Sequence, residues 1–154
     1  MRYLSLLLFL AVALGGGLLI GATNAPGPWY AALDKPPFNP PDWLFAPVWS
    51  AIYVLIAVAG WRVWRQHNAK GRAPHGAMTA WWVQLGLNFL WSPVFFTLQA
   101  PGWALVVILA LDAAVAAFVA LAWRRDRPAA LLFLPYGAWV AFATVLNAAI
   151  WSLN

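Results

Sequence analysis

The sequence contains no cysteine and no glutamate, and only 8% of its 154 residues are charged. Without cysteine there can be no disulfide bond, no thiolate nucleophile and no Cys-ligated metal. A soluble domain of this length needs many more charged side chains on its surface, and 64% of this chain is hydrophobic. The composition therefore predicts one integral membrane domain covering residues 1–154.

Residue patterns for common enzyme chemistry are also missing. There is no glycine-rich phosphate loop, no Ser/His/Asp set and no paired carboxylates, so hydrolysis and phosphoryl transfer lack their catalytic groups. His67 and His75 have no carboxylate or cysteine partner, which predicts solvated loop residues and no metal site. The net charge is +5, but no basic face exists outside the clusters that flank apolar segments. Nucleic acid is therefore not a predicted partner.

Long apolar segments dominate what is present. A helix needs about 20 apolar residues to cross a hydrocarbon core of about 30 Å. Five segments meet this length, and the connections between them are short except the first. The pattern predicts an all-α integral membrane fold, a bundle of five transmembrane helices with a Pro/Trp-rich loop between helices 1 and 2. The predicted helices cover about 3–22, 42–66, 77–99, 102–123 and 129–153.

The basic residues are distributed unequally between the two sides of the predicted bundle. Five crossings place the two ends of the chain on opposite sides, and the loop side carries only Lys35. The positive-inside rule therefore predicts that the N-terminus is cytoplasmic and that the Pro-rich loop lies outside. The basic residues on the N-terminal side are Arg2, Arg62, Arg65, Lys70, Arg72, Arg124, Arg125 and Arg127.

The first helix carries small residues at four-residue spacing, namely Ala13, Gly17 and Gly21. Such a face lets another helix approach closely. Two interpretations follow, packing within one bundle or a seam between two copies of the chain.

The first connection, residues 23–41, is here called the lid loop. A connection of this length without helical periodicity is usually functional or disordered, and its prolines and aromatic residues favour a stiff, ordered segment. The sequence therefore predicts a lid over the outer end of the bundle. Its predicted lid residues are Trp29, Lys35, Pro36, Phe38, Pro40 and Pro41.

Several polar and aromatic residues lie deeper than the tryptophans at the ends of the helices. At 1.5 Å per residue, Trp49, Trp91, Trp139, Asn88 and Asn147 fall about 9–20 Å from the outer ends of their helices. Tyr53 shares a face with Trp49, Gln84 shares a stripe with Asn88 and Trp91, and Ala143 shares a face with Trp139 and Asn147. Amide groups avoid lipid, so these faces are predicted to meet. They predict either a ligand pocket beneath the lid or hydrogen bonds that join helices.

Asp112 lies near the middle of the fourth predicted helix. An ionisable group at that depth is a functional candidate by default. No polar residue accompanies it at helical spacing, so we expect a structural carboxyl that hydrogen-bonds to a neighbouring helix.

Three stretches of the sequence closely resemble the TspO/MBR family. They are WYAALDKPPFNPPDWLFAPVWSAIY at 29–53, LNFLWSPVFF at 87–96 and LLFLPYGAWVAFATVLN at 131–147. This is the family of the tryptophan-rich sensory protein, called translocator protein or peripheral benzodiazepine receptor in mitochondria. The resemblance covers nearly the whole chain and indicates a bacterial member, in the cell membrane by charge or in the outer membrane by family resemblance.

The resemblance implies a five-helix bundle, often a homodimer, that binds porphyrins such as protoporphyrin IX and haem and requires no cofactor. It also implies binding of isoquinoline carboxamide and benzodiazepine ligands. In bacterial members, pocket tryptophans are associated with light- and oxygen-dependent breakdown of the porphyrin, so Trp49 and Trp139 are candidates for that chemistry. The family's pocket residues correspond here to Tyr30, Trp49, Asn88, Trp91, Trp139 and Ala143.

Two departures from the family pattern stand out. Phe38 replaces a lid tryptophan, which is a mild change in stacking. The tyrosine and basic residue of the animal cholesterol motif are replaced by Ala148 and Ser152, so cholesterol recognition at this end is not expected.

The predicted function is a membrane receptor or sensor for porphyrin or another flat, hydrophobic small molecule. The macrocycle would stack on the three deep tryptophans, while Asn88 and Tyr30 donate or accept hydrogen bonds and Lys35 pairs with a propionate. Membrane lipid and a second copy of the chain are the other expected partners. Two alternatives stay open, a transporter of porphyrin or other amphiphiles and a light- and oxygen-dependent porphyrin-degrading enzyme.

Overall fold

The structure is a computed structural model that describes residues 2–69 and 76–154. The side chains of Arg2 and His67 and the whole of Lys70, Arg72 and His75 lie outside the described residues, so the sequence predictions for them stay predictions. The described chain is helical and contains no strand. The predicted all-α class is therefore confirmed for this part of the chain.

The helices follow the predicted order. α1 (Arg2–Leu10) continues through a π-helical turn, Ala11–Gly15, into α2 (Gly16–Thr23). The lid loop contains one short helix, α3 (Pro28–Ala32), and a 3-10 turn, Asp42–Leu44, leads into α4 (Phe45–Ala69). The remaining helices are α5 (Gly76–Ser92), followed by a π-helical turn at Pro93–Thr97, α6 (Pro101–Trp123) and α7 (Arg127–Leu153).

Length and composition identify four crossings in the described chain, whereas the sequence predicts five. The four are Tyr3–Thr23, Asp42–Gln66, Pro101–Trp123 and Arg127–Leu153. α5 has 17 residues and stops before Pro93. Proline has no amide hydrogen for the α-helical ladder, and the chain continues as a π-helical turn from this residue. The first crossing, Tyr3–Thr23, also runs through a π-helical turn, so the interruption alone does not set α5 apart; α5 also carries the polar residues Gln84 and Asn88, which lower its hydropathy.

The helices pack as a ring. α6 contacts α5 and α7, α7 contacts α4, α4 contacts α1 and α2, and α2 contacts α5. Fully buried aromatic side chains fill the middle of the ring, including Trp81, Phe118 and Phe133. The indole Nε1 of Trp81 donates to the carbonyl of Ile56 at 2.8 Å and thereby joins α5 to α4.

Gly17 lets the first helical segment approach α4 closely. A Cβ atom at this position would lie 2.2 Å from the ring of Tyr53, whereas one at Gly21 would meet nothing within 4 Å. Ala13 is fully buried. Of the two interpretations of the small-residue face, the structure uses Ala13 and Gly17 for packing within the bundle.

The end of the bundle opposite the lid loop is held by a buried carboxylate. Asp126 caps the N-terminus of α7, because its side chain accepts from the amide of Ala129 at 3.1 Å. Arg62 of α4 forms an ion pair with the same carboxylate at 3.0 Å, and Gln66 donates to its second oxygen at 2.9 Å. The sequence placed Arg62 among topology signals only, and the structure shows that it also joins α4 to α7.

The lid loop is held against the bundle at two points. Asn24 contacts Thr97 by a short side-chain hydrogen bond. The side chain of Asn154 accepts from the amide of Asp34 at 3.0 Å and donates to the carbonyl of Asp34 at 3.0 Å. This reciprocal pair, here called the lid clip, fixes the end of α7 against the loop.

Candidate ligand-binding site

A buried chain of polar side chains crosses the middle of the bundle. The hydroxyl of Tyr53 donates to Oδ1 of Asn88 at 2.6 Å, and Nδ2 of Asn88 donates to the hydroxyl of Tyr136 at 3.0 Å. Tyr136 in turn donates to Oε1 of Gln84 at 2.8 Å, and Gln84 donates to the carbonyl of Trp81 at 2.9 Å. We call Tyr53, Asn88, Tyr136 and Gln84 the central network. It joins α4, α5 and α7, and each of its side chains has a protein partner.

A second pairing lies nearer the lid loop. Nε1 of Trp91 donates to Oδ1 of Asn147 at 3.0 Å, and Nδ2 of Asn147 donates to the carbonyl of Pro101 at 2.8 Å. Asn147 is buried and thus ties α5, α6 and α7 together. The structure brings Trp91 and Asn147 together at one depth, as the sequence predicts, and the two side chains hydrogen-bond to each other.

Trp139 lies in an aromatic cluster beneath the lid loop. Its ring centroid is 6.0 Å from that of Phe45 and 5.5 Å from that of Phe142. Phe142 also contacts Phe38 of the lid loop, with ring centroids 6.5 Å apart. We call Phe38, Phe45, Trp139 and Phe142 the lid-end cluster. Its rings meet edge-on or tilted, the geometries that aromatic pairs prefer.

Trp49 links the lid-end half of α4 to the central network. Its ring centroid lies 5.6 Å from that of Tyr53 and 6.5 Å from that of Tyr136. Trp49 and Ala143 are both half-buried and pack against the core of the bundle. The predicted ligand-binding side chains on α4, α5 and α7 therefore point inward, as the sequence expectation requires.

Two buried polar atoms in this region have no hydrogen-bond partner. They are Nε1 of Trp139 and Oδ1 of Asn39, a donor and an acceptor. Asn39 directly follows Phe38, whose ring contacts Phe142 of the lid-end cluster. Buried polar groups are nearly always paired, so an unpaired pair of this kind requires an explanation. The central network shows that this fold can pair its buried polar atoms, which makes the exception informative.

Tyr30, the predicted ligand contact in the lid loop, is buried. Its ring lies 5.3 Å from that of Phe96 and 6.2 Å from that of Phe95, and Trp29 packs 6.0 Å from Phe95. Burial, with a smaller contribution from the carboxylate of Asp42, raises the pKa of Tyr30 above its ordinary value. The Tyr30 hydroxyl is therefore protonated at neutral pH and can donate a hydrogen bond.

Lys35 caps the short helix of the lid loop. Its Nζ donates to the carbonyl of Tyr30 at 2.7 Å and to that of Leu33 at 3.2 Å, and it lies 4.6 Å from the centroid of the Tyr30 ring. The sequence predicts that Lys35 pairs with a propionate. In the structure, its ammonium group donates to backbone carbonyls of the lid loop. Orphan carbonyls at the end of a helix attract a cation, which explains this position.

The prolines of the lid loop take different positions. Pro36 is buried, Pro40 is half-buried and Pro41 is exposed. Phe38 is exposed on one side although its ring meets Phe142.

Asp112 has a partner on another helix. The hydroxyl of Thr144 lies 2.7 Å from Oδ2 of Asp112 and 3.0 Å from the carbonyl of Val140. The expected role of Asp112, a carboxyl that joins α6 to a neighbour, matches this contact. Thr144 was not predicted, because nothing in its own sequence context distinguishes it from other polar residues that bond within their helix.

Sequence reasoning also missed Tyr136, Gln84 as a network member, Phe142 and Asn39. Gln84 lies four residues before Asn88 and was on the recognised stripe of α5, which is a usable signal. Tyr136 is three residues before Trp139 and could have been found from the same periodicity. Asn39 lies in the loop, where no periodicity applies. Among the described residues, no three His, Cys, Asp or Glu side chains lie together as metal ligands.

Comparison with known proteins gives a consistent family. The sequence profile of the TspO/MBR family matches residues 6–152. The chain is 39% identical over 144 residues to the Translocator protein of Bos taurus, covering 92% of this chain and 85% of that protein. It is 39% identical over 153 residues to the Tryptophan-rich protein TspO of Archaeoglobus fulgidus, covering 97% and 94%. It is 38% identical over 148 residues to the Tryptophan-rich sensory protein of Cereibacter sphaeroides, covering 96% and 90%.

Proposed function

The chain belongs to the TspO/MBR family, and we propose that it is a membrane receptor or sensor that binds a porphyrin beneath the lid loop. Protoporphyrin IX and haem are the proposed ligands, with isoquinoline carboxamides as smaller competitors. The proposal includes five membrane crossings, in which α5 and the turn at Pro93–Thr97 together form the third. It also places the lid loop outside the cell membrane and the N-terminus in the cytoplasm.

The observation that carries the proposal is two unpartnered buried atoms, Oδ1 of Asn39 in the lid loop and Nε1 of Trp139 on α7. Nε1 of Trp139 can donate to a nitrogen or carboxylate of the ligand, and Oδ1 of Asn39 can accept from a ligand N–H. Free-base protoporphyrin IX offers both kinds of group on one flat, apolar ring, whereas haem, whose four nitrogens bind iron, offers its propionates to Trp139. Binding of protoporphyrin IX would supply partners to two atoms that the protein itself leaves unpaired.

The surrounding rings would provide most of the affinity. Stacking of a flat ligand on an aromatic side chain contributes about 1–3 kcal/mol per ring. Trp139, Trp49 and the phenylalanines of the lid-end cluster can supply several such contacts. A micromolar dissociation constant corresponds to about −8 kcal/mol, which a few rings can reach after association costs.

Entry of the ligand requires the lid loop to move. Phe38 and Phe142 contact each other across the space between the lid loop and α7. We propose that the loop swings away from α7, that the ligand enters above Trp139, and that Phe38 then closes over its face. The central network, by contrast, stays paired and serves as the floor of the site.

The test is a titration of purified protein with protoporphyrin IX, followed by quenching of tryptophan fluorescence. Trp139→Phe keeps an aromatic ring but removes the N–H donor, so we expect a dissociation constant about fivefold higher. Asn39→Ala should weaken binding by a similar factor. Trp43→Phe is the matched control, because Trp43 is an exposed tryptophan in the turn that joins the lid loop to α4. Unchanged affinity in both Trp139→Phe and Asn39→Ala would refute the site.

A further inference from the structure

A cavity that is separate from the lid-end cluster lies where the lid loop meets α6 and α7. Its volume is about 710 Å³, within the range of about 300–1,000 Å³ that is typical of small-molecule sites. We call it the outer groove. None of Trp49, Trp91, Trp139 or Asn39 lines it. The side chains that matter for its chemistry are Trp29, Gln99, Trp103, Val106, Trp151 and Asn154.

Backbone features hold the outer groove open. Gln99 has a positive φ of 52°, which turns the chain sharply between α5 and α6. Gly102 allows close packing against α7, because a Cβ atom there would lie 3.0 Å from Nε1 of Trp151. The bond from Asn147 to the carbonyl of Pro101 fixes the first turn of α6. The lid clip between Asp34 and Asn154 closes the remaining side.

The groove presents three indole donors and the amide side chains of Gln99 and Asn154, and none of its lining side chains is charged. The indole N–H groups of Trp29, Trp103 and Trp151 donate to no group among the described residues, and no lysine, arginine, aspartate or glutamate lines the cavity. Indole can only donate a hydrogen bond. The groove therefore suits a ligand that brings acceptor oxygens and does not suit one selected by its charge.

The groove also faces the surface that a membrane-spanning bundle presents to lipid. Trp103 is 71% exposed, Val106 56% and Trp151 55%. These residues lie at the start of α6 and the end of α7, the ends nearest the lid loop. An occupant would have its polar part among the indoles and an acyl chain running along Val106 towards the middle of the bundle.

We propose that the outer groove is a binding site for one membrane glycerolipid, held by its ester carbonyls. The carbonyl oxygens accept from the indole N–H groups of Trp103 and Trp151, and one acyl chain follows α6. Tryptophans at membrane interfaces usually sit among lipid headgroups without a defined partner. The outer groove has several hydrogen-bond donors and no charged side chain, so it selects a lipid by its ester linkage and not by the charge of its headgroup.

Native mass spectrometry of the full chain, purified in detergent, tests this proposal. The probes are two phosphatidylcholines with identical chains, one ester-linked and one ether-linked, which lacks the carbonyl acceptors. We expect the wild-type protein to retain the ester lipid about fivefold better, the effect of about one hydrogen bond. The double variant Trp103→Phe/Trp151→Phe keeps both rings and should lose the preference. Trp82→Phe, an exposed indole near the opposite end of the bundle, should keep it.

Three results would overturn the site. They are equal retention of ester and ether lipids by the wild type, a preference that survives in the double variant, and strong selection of phosphatidylglycerol over phosphatidylcholine. Protoporphyrin IX affinity provides an independent readout. It should not change in the double variant, because these indoles lie outside the lid-end cluster. Loss of porphyrin binding together with lipid selection would show that the outer groove and the proposed porphyrin site are one site, which also contradicts the proposal.

Discussion

The central network and the region of the lid-end cluster are two layers of one bundle that differ in whether their buried polar atoms have hydrogen-bond partners. In the central network, Tyr53, Asn88, Tyr136 and Gln84 pair with one another across three helices. In the region of the lid-end cluster, Trp139 and Asn39 each bury a polar atom without a partner. The difference teaches that burial alone does not identify a binding residue here. The residues that hold the fold are those whose hydrogen bonds are complete, and the candidates for ligand contact are those whose hydrogen bonds are missing.

This comparison changes the part expected of Asn88. The sequence and the family resemblance both point to Asn88 as a ligand contact. In the structure its oxygen accepts from Tyr53 and its amide donates to Tyr136, so a ligand would have to displace or share those bonds. Direct contact between Asn88 and the ligand remains a prediction, and the structure supports a role in positioning the tyrosines.

The largest effect is expected where the first helical segment meets the central network. Gly17→Ala places a methyl group against the Tyr53 ring and should push its hydroxyl away from Asn88. Overpacking of this kind costs about 1–3 kcal/mol. The measurement is the thermal unfolding midpoint in detergent. Gly21→Ala is the control, because its methyl group meets nothing, and it should leave stability unchanged or raise it. Equal midpoints for the two variants would contradict the packing.

A somewhat smaller loss is expected from Asn88→Leu. This change removes two interhelical hydrogen bonds and leaves the hydroxyl of Tyr53 without its acceptor. Hydrogen bonds between membrane helices average about 0.6 kcal/mol and reach about 1.7 kcal/mol, so we expect about 1–2 kcal/mol in total. Chemical denaturation monitored by circular dichroism would measure it. A variant as stable as the wild type would show that the central network does not hold the helices.

The lid clip should have a local effect of about 1 kcal/mol. Asn154→Ala removes both bonds to the backbone of Asp34. We expect amide hydrogen exchange in residues 29–35 to become about fivefold faster, while exchange in α6 stays unchanged. Ser152→Ala is the control, since its hydroxyl bonds within its own helix. Exchange that accelerates equally in both variants would argue against the clip.

The smallest change in stability is expected from Trp139→Phe. The lost ring area is offset by removal of a buried donor that has no acceptor, so the free energy of unfolding should change by less than about 0.5 kcal/mol. The same variant is expected to weaken porphyrin binding. A stability loss as large as that of Asn88→Leu would erase the distinction between the two layers.

Much of the scaffold could be predicted from the sequence because it follows from hydrophobic length and periodicity. The helices lie close to their predicted ranges, and the stripe of Gln84, Asn88 and Trp91 on α5 points inward as expected. Helical spacing fixes which residues share a face, but it does not fix which side chain across the bundle becomes the partner. That is why Tyr53 was expected in the site while its link through Asn88 to Tyr136 was not.

The loop was the least predictable part. Composition indicated an ordered lid, yet the short helix α3, the capping role of Lys35 and the unpaired oxygen of Asn39 depend on local backbone geometry. A lysine beside a proposed anion site suggests an ion pair by charge alone. In the structure the ammonium group of Lys35 donates to carbonyls of its own loop, which no pattern in the sequence predicts, and its pairing with a propionate stays a prediction.

The close approach of Gly17 to the Tyr53 ring has a consequence for the evolution of this sequence. The two positions, 36 residues apart in sequence, share one volume, so they cannot vary independently. A relative with a side chain at the position of Gly17 should carry a smaller residue at the position of Tyr53. It should then have another hydrogen-bond donor for the side-chain oxygen at the position of Asn88.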